Sequence, residues 1–355
     1  MLTFPQFQYH AASAYGYRHS HFPKSDIPAV FFRYAKPAHE SLARTAATGK
    51  YPHPCQSLLL FCLPIATSVE AKSKQPKPKA KHVLVIGIDG WGGYSLAKAH
   101  DIPNIRMLMQ QGCYTAKKRS VLPSDSGVNW ASMFNGSCPE LHGYTTWNSH
   151  TPEIPSVELN EHGKFPTIFS ILRKARPDVV TGCIAEWDGI KHVVDTMAID
   201  NYDLAPDWEH HTSLLCEMAE RFIIDRKPTL FAVCWDQLDH TGHSIGHDTP
   251  EYYKTLAELD VYVGRLIQAL KTAGIYDDTI VILTADHGGK EKGHGGKTLL
   301  EMEHPFIICG HGIRSGLVID EPMMQYDTAA TIAYIFGLAT PRSWVGRPVL
   351  SVFAK

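Results

Sequence analysis

Residues 279–296 read TIVILTADHGGKEKGHGG. An apolar run, Ile280 to Leu283, ends in Asp286 and His287, and His294 follows after a glycine-rich turn. A run this short, rich in β-branched residues and closed by Gly288 and Gly289, predicts a buried strand. In open α/β sheets ligands gather outside the carboxyl ends of the strands, which is where Asp286 and His287 would sit. A lone Asp-His pair would equally well cap a turn, so the rest of the chain has to decide.

Outward from this stretch, apolar runs at 83–88 (VLVIGI), 179–184, 229–235 (TLFAVCW) and 306–309 predict further strands. Helical patterns fall near 95–111, 127–134, 210–224, 250–273 and 327–336. On the longest, Leu256, Leu259, Val263, Leu266 and Leu270 form an apolar stripe at three- and four-residue spacing, a surface that faces a core. Strands alternating with helices predict an α/β fold, a three-layer sandwich whose mostly parallel central sheet carries helices on both faces. No internal repeat is visible.

Two more predicted strands end in candidate ligands. The run at 83 ends in Asp89-Gly90, and the run at 229 ends near Asp239-His240-Thr241-Gly242-His243. Asp89, Asp239, His243, Asp286, His287 and His294 thus arrive by one topology. Imidazole nitrogen and carboxylate oxygen together suit zinc in tetrahedral sites. Six such ligands exceed one tetrahedral ion and suggest a pair. Two ions a few ångströms apart clamp the attacking and leaving oxygens of an in-line phosphoryl displacement.

The composition is that of a globular protein. With 355 residues, 44% hydrophobic and 20% charged, the chain can bury a large core. A formal net charge of -2 argues against a nucleic-acid coat, and neither disorder nor a polytopic membrane protein is indicated. Residues 57–71 read as a secretory signal peptide: Ser57 to Ala66 is apolar but too short to span a bilayer, and Val69-Glu70-Ala71 follows with small residues where a signal peptidase reads. Cleavage would leave 72–81, KSKQPKPKAK, as a solvated Lys/Pro linker before a domain at 82–355. Residues 1–56 are an unusual extension, expected to hold no folded domain. The predicted location is secreted or periplasmic. The six cysteines beyond the signal, at 113, 138, 183, 216, 234 and 309, show no metal-type spacing, and those inside predicted strands read as buried free thiols.

The segments IGIDGWGG, LPSDSGVNWASMFNGSCPELHGY, DHTGHSIGH, TADHGGKEKGHGG, PFIICGHGI and YDTAATIAYIFGLATPRSWVGRPV occur in this order. In that order they resemble the alkaline phosphatase superfamily, most closely its type I phosphodiesterase/nucleotide pyrophosphatase branch, over residues 82–350. The resemblance implies an alkaline-phosphatase-like three-layer sandwich and a hydrolase with two Zn2+ per chain. One ion would be held by Asp239, His243 and His294, the other by Asp89, Asp286, His287 and the nucleophile oxygen. The family stretch P-T-x-T-x-P-N reads here Pro123-Ser124-Asp125-Ser126-Gly127-Val128-Asn129, which puts Ser126 in the nucleophile's place, with Ser124 as the competitor.

On that reading Ser126 attacks phosphorus in line and forms a phosphoseryl intermediate. A helix beginning at Gly127 would turn its first N–H groups towards the phosphoryl oxygens, and the Asn129 amide would add a donor. Asn129 is neutral and no Arg lies between Ser120 and Pro152, which favours singly charged diesters or pyrophosphates over dianionic monoesters. Trp91, Tyr144 and Trp147 lie in loops beside these segments, where each would either stack on a nucleobase or anchor its loop. The short Asp286–His294 connection predicts an open site. A phosphomonoesterase or phosphonate hydrolase of the same superfamily stays open, as does a silent metal-stabilised secreted binding protein. A sulfatase fits poorly, since Ser137-Cys138-Pro139-Glu140-Leu141 lacks the Arg that its modified residue requires. The expected partner is a small phosphodiester or nucleotide; no integral membrane segment is expected in the mature chain.

Overall fold

A computed structural model of the chain describes residues 78–204 and 212–354. The extension 1–56, the leader 57–71 and the linker as far as residue 77 lie outside the described residues. The strands are β1 (His82–Ile88), β2 (Cys113–Arg119), β3 (Thr181–Ala185), β4 (Asn201–Leu204), β5 (Leu230–Trp235), β6 (Thr279–Thr284), β7 (Glu303–Gly310) and β8 (Leu317–Val318). The helices are α1 (Ser95–Lys98), α2 (Pro103–Gln111), α3 (Ser126–Asn135), α4 (Pro139–His142), α5 (Ile168–Ala175), α6 (Ile190–Val193), α7 (Thr212–Arg226), α8 (Gln237–Ser244), α9 (Pro250–Thr272), α10 (Leu299–Met302) and α11 (Asp327–Phe336).

The strands form one sheet in the order β4-β3-β5-β1-β6-β7-β2-β8. From β4 to β6 all neighbours run parallel, and β7 runs against both β6 and β2. β1 shows why the sheet sits between two helical layers. Its residues are apolar without alternation, as a strand buried on both faces requires. Val83 and Val85 pack with Trp130 and Phe134 of α3, whereas Leu84 and Ile86 enter the opposite cluster with Leu256 and Leu259 of α9. Each such fully buried aliphatic side chain contributes about 1.5–3 kcal/mol relative to exposure. The predicted α9 stripe, Leu256 to Leu270, is buried along its whole length. The result is the predicted three-layer α/β sandwich.

The structure departs from the sequence reading in four places. The helix expected over 95–111 is two helices, because Pro103 disfavours helical backbone at Ile102 and then serves as the first residue of α2. Strand β2 was hidden by its polar sequence, CYTAKKR, although Lys118 is fully buried and donates to Thr284 Oγ1 at 3.1 Å. Short elements β4 and α5 also escaped notice. Finally, the linker does not stay solvated to residue 81: Lys79 N donates to Ile335 O (2.6 Å), Lys81 N to Asp278 O (3.1 Å), and Ala80 is buried. Cys183, Cys234 and Cys309 carry buried free thiols. No helix among the described residues is long and apolar enough to cross a membrane.

In register, Ile88 of β1 pairs with Trp235 of β5, and Gly87 with Thr284 of β6, so the carboxyl ends of three strands finish level. The chain then turns sharply at Gly90, whose φ of +68° favours glycine and where a Cβ would lie 2.5 Å from Asp239 Oδ1. Tyr252 of α9 fastens this turn. Its buried hydroxyl donates to Gly90 O (2.7 Å) and accepts from Gly92 N (3.1 Å). Tyr252→Phe therefore strands a buried carbonyl and a buried amide; an expected loss of about 1–3 kcal/mol is to be read from the denaturant unfolding curve.

Candidate metal centre

Three strand ends deliver the polar residues. Asp89 follows β1, and Asp286 and His287 follow β6. Beyond β5 the chain forms a helix at once: α8 carries Asp239 and His243 four residues apart, on one face. The sequence reading had them on a strand end. Glu186, at the end of β3, holds this helix start through hydrogen bonds from Asp236 N (2.6 Å) and Gln237 N (3.1 Å) to its Oε2.

Asp239, His243 and His294 form one cluster. His243 Nε2 lies 3.1 Å from Asp239 Oδ2 and 3.0 Å from His294 Nε2, which is itself 3.8 Å from Asp239 Oδ2. His243 Nδ1 points at Lys292 O (3.0 Å) and His294 Nδ1 at Ser124 O (3.1 Å). A carbonyl only accepts, so each Nδ1 donates, and the two Nε2 atoms meet beside a carboxylate with a proton or a metal ion to share. Such an arrangement could hold a metal ion.

Asp89, Asp286 and His287 form the second cluster. His287 Nδ1 donates to Gly288 O (2.7 Å), which leaves Nε2 bare at 3.3 Å from both Asp89 Oδ1 and Asp286 Oδ2. Trp130 Nε1, one turn along α3 from Ser126, donates to Asp89 Oδ2 (2.9 Å) and so turns Oδ1 into the site. The clusters adjoin: the His287 and His294 rings stack with centroids 3.8 Å apart, and ligand oxygens of Asp89, Asp236 and Asp239 lie within 4.8 Å of one another. Asp236 was missed in the sequence, where its one signal was its place directly after the β5 run. Buried Asp239 Oδ1 and Asp286 Oδ2 have no hydrogen-bond partner among the described residues. Orphaned carboxylate oxygens and converging imidazole lone pairs together fit divalent ions with a preference for nitrogen and oxygen ligands.

The proton equilibria express the same crowding. Burial, and then Asp286 and Asp239, push the Asp89 carboxyl well above its usual range. Burial, then Asp239, carries Asp286 up to about 7 and Asp236 up to about 8. The hydrogen bond to Asp239 holds His243 up at about 9. Without metal, protons take up the space that a cation would fill.

Ser126 is the first residue of α3, and its Oγ lies 3.1 Å from His287 Nε2 and 3.4 Å from Asp89 Oδ1. It opens on a cleft of about 850 Å³ whose wall includes Trp147, Trp187, Glu186, Asp188 and Asp236. Among the described residues no lysine or arginine lines this cleft. Ser124, the competing hydroxyl, is buried and donates to Gly296 O (2.7 Å).

Four residues expected to meet substrate have other partners in the structure. Asn129 is fully buried: Nδ2 donates to Pro123 O and Asp125 O (both 3.0 Å), and Oδ1 accepts from Val121 N (2.8 Å). It shapes the loop that leads into Ser126. Gly127 N is taken by Trp147 O (3.0 Å). Trp91 is buried in the core, and Tyr144 is buried with its hydroxyl on His192 O (2.9 Å). Neither ring can stack on a base. Trp147 differs, being 58% exposed at the cleft wall, and Trp187 on the same wall was not foreseen.

A family model described as type I phosphodiesterase / nucleotide pyrophosphatase matches residues 83–303. Among curated relatives, the rat ectonucleotide pyrophosphatase/phosphodiesterase family member 1 is 27% identical over 224 residues, 58% of this chain and 24% of that protein. The mouse bis(5'-adenosyl)-triphosphatase is 24% identical over 231 residues, 61% of this chain and 49% of that one. The chain thus spans about a quarter to a half of these relatives' lengths. Among solved structures, an inactive murine ectonucleotide pyrophosphatase / phosphodiesterase 5 in complex with AMP superposes with a TM-score of 0.63 at 17% identity, covering 77% of this chain and 100% of that one. A 2-O GAG sulfatase gives 0.60 at 16% identity over 78% of this chain and 74% of its own. These structures share the fold.

Metal uptake should release protons, with a definite sign. Below about 9 His243 is protonated in the metal-free chain, and the ion needs its bare nitrogen. Apparent zinc affinity, followed by competition with a chromogenic chelator, should therefore rise at least about tenfold from pH 7 to pH 8 and level off above pH 9.

Proposed function

We propose, because this chain belongs to the type I phosphodiesterase / nucleotide pyrophosphatase family, that it is a two-zinc phosphodiesterase acting through a covalent phosphoseryl intermediate on Ser126. The observation that carries this reading is the position of Ser126 Oγ, 3.1 Å from His287 Nε2 at the head of a helix and facing the cleft, with a second three-ligand cluster adjoining. One ion would be held by Asp89, Asp286, His287 and Ser126, the other by Asp239, His243 and His294. When bound, zinc lowers the pKa of a hydroxyl or water and withdraws charge from phosphoryl oxygens.

The chain's own residues supply the rest. Ser126 donates its hydroxyl hydrogen towards Asp89 Oδ1 and so presents a lone pair to the cleft. As the Ser126 Oγ–P bond forms, the P–O bond opposite breaks, and the leaving alcohol departs on the side of Asp239, His243 and His294. Water then attacks phosphorus, and Ser126 Oγ leaves and regains its proton. With Asn129 turned inward, the argument for diesters shifts to the cleft wall. Asp125, Glu186, Asp188 and Asp236 face the substrate space and, among the described residues, no lysine or arginine does, which suits a phosphoryl group of one negative charge better than two. Trp147 and Trp187 offer flat surfaces for a leaving group or base. The leader at 57–71 supports export, and the amino terminus of the mature protein reads that out.

Zinc-loaded protein should hydrolyse bis-p-nitrophenyl phosphate and the p-nitrophenyl ester of thymidine monophosphate faster than p-nitrophenyl phosphate. Ser126→Ala should lower kcat by roughly 10³-fold or more while the ion at Asp239 stays bound. Faster monoester turnover would move the protein to the phosphatase side. Undiminished turnover in the variant would remove Ser126 from the mechanism.

A further inference from the structure

We propose that His247 is a positioning residue of the metal centre, one that orients Asp239 and fixes the turn bearing His294; this rests on the two-ion reading above. Nothing in the spacing of DHTGHSIGH marks His247 as more than a surface histidine. In the structure its side chain is fully buried. Its Nε2 lies 3.5 Å from Asp239 Oδ1, and neither atom has a hydrogen-bond partner elsewhere among the described residues. The oxygen it faces is the one turned away from His243 and His294, which gather at Oδ2. Holding Oδ1 therefore fixes the rotation of the carboxylate and with it the aim of Oδ2.

The main chain of the same residue grips the connection to His294. His247 N donates to Glu291 O at 2.6 Å, and His247 Nδ1 approaches the same oxygen at 3.2 Å. Glu291 sits in left-handed backbone, φ 54°, inside a tight turn in which Lys290 and Gly293 exchange hydrogen bonds of 2.8 and 3.1 Å. That turn presents Lys292 O to His243 Nδ1 and leads directly into His294. With its ring proton on Nε2, His247 thus reaches all three ligands of the cluster: Asp239 by that N–H, and His243 and His294 through the turn that its main-chain N–H anchors.

The ring cannot move far. A Cβ at Gly242 would lie 2.3 Å from it and one at Gly289 2.2 Å, so glycine on both sides makes the slot, and the Tyr252 ring closes it with centroids 5.6 Å apart. Partners that orient a ligand typically contribute about 10–100-fold to metal affinity.

His247→Phe keeps the ring in its slot and removes both nitrogens; His247→Gln restores a donor of similar reach. Zinc stoichiometry and affinity by chelator competition, together with thermal unfolding of the metal-free proteins, are the readouts. The expected result is that His247→Phe weakens one of the two ions about 10–100-fold and leaves the other in place. His247→Gln recovers part of that loss, and both metal-free variants unfold like the metal-free parent. Parental affinity for both ions in His247→Phe overturns the proposal. So does a loss of both ions that tracks a loss of metal-free stability, since that marks a packing residue. A parent that takes up fewer than two ions fails at an earlier step, in the two-ion reading itself.

Discussion

Bare imidazole nitrogens and carboxylate oxygens converge at the carboxyl edge of the sheet, and they repel one another. His243 Nε2 and His294 Nε2 stand 3.0 Å apart, and His287 Nε2 stands 3.3 Å from two carboxylate oxygens. In a buried setting such a gathering costs several kcal/mol unless a cation or protons neutralise it. Much of the surrounding structure exists to hold it. Three imidazoles are locked through Nδ1 to main-chain carbonyls, at Gly288, Lys292 and Ser124, so their orientation follows from backbone geometry. The turn after β1 is glycine because Asp239 occupies the space of a Cβ.

How much of this the sequence could reveal depends on how local the cause is. Strands that deliver Asp89, Asp286 and His287 are short apolar runs cut off by glycine, a signal carried by adjacent residues. The candidate ligands stand out in the sequence because Asp and His follow such runs together. The inward turn of Asn129 does not, since its partners Val121 and Pro123 meet it through a loop whose path no periodicity encodes. Trp91 and Tyr144 read as loop aromatics, and their burial is decided by distant elements such as α9 and the segment around His192. Strand β2 ends in Lys117-Lys118-Arg119, a solvent-facing pattern by composition, yet Lys118 lies inside the domain with its amino group on Thr284 Oγ1, where burial pushes its pKa well below the usual lysine value.

Charge on the cleft wall separates this site from one built to collect polyanions. Among the described residues acidic side chains line it and lysine and arginine do not, so attraction for an anion depends on what the two clusters hold. Trp147 and Trp187 supply flat, apolar surface on the same wall, and they come from two different loops, after α4 and after β3. Substrate recognition therefore rests with loops, and the charged centre rests with strand ends and helix starts.

Helix α3 ties Ser126 to its neighbour in a way that has an evolutionary side. Ser126 and Trp130 stand one turn apart and reach opposite oxygens of the same carboxylate, Asp89. The spacing between hydroxyl and carboxylate is thus written into 5.4 Å of helical pitch, not into any loop. Loops such as those bearing Trp147 and Trp187 are free to drift, lengthen or exchange residues without disturbing that spacing. A lineage can explore new esters by remodelling the wall while its reaction centre stays as it was.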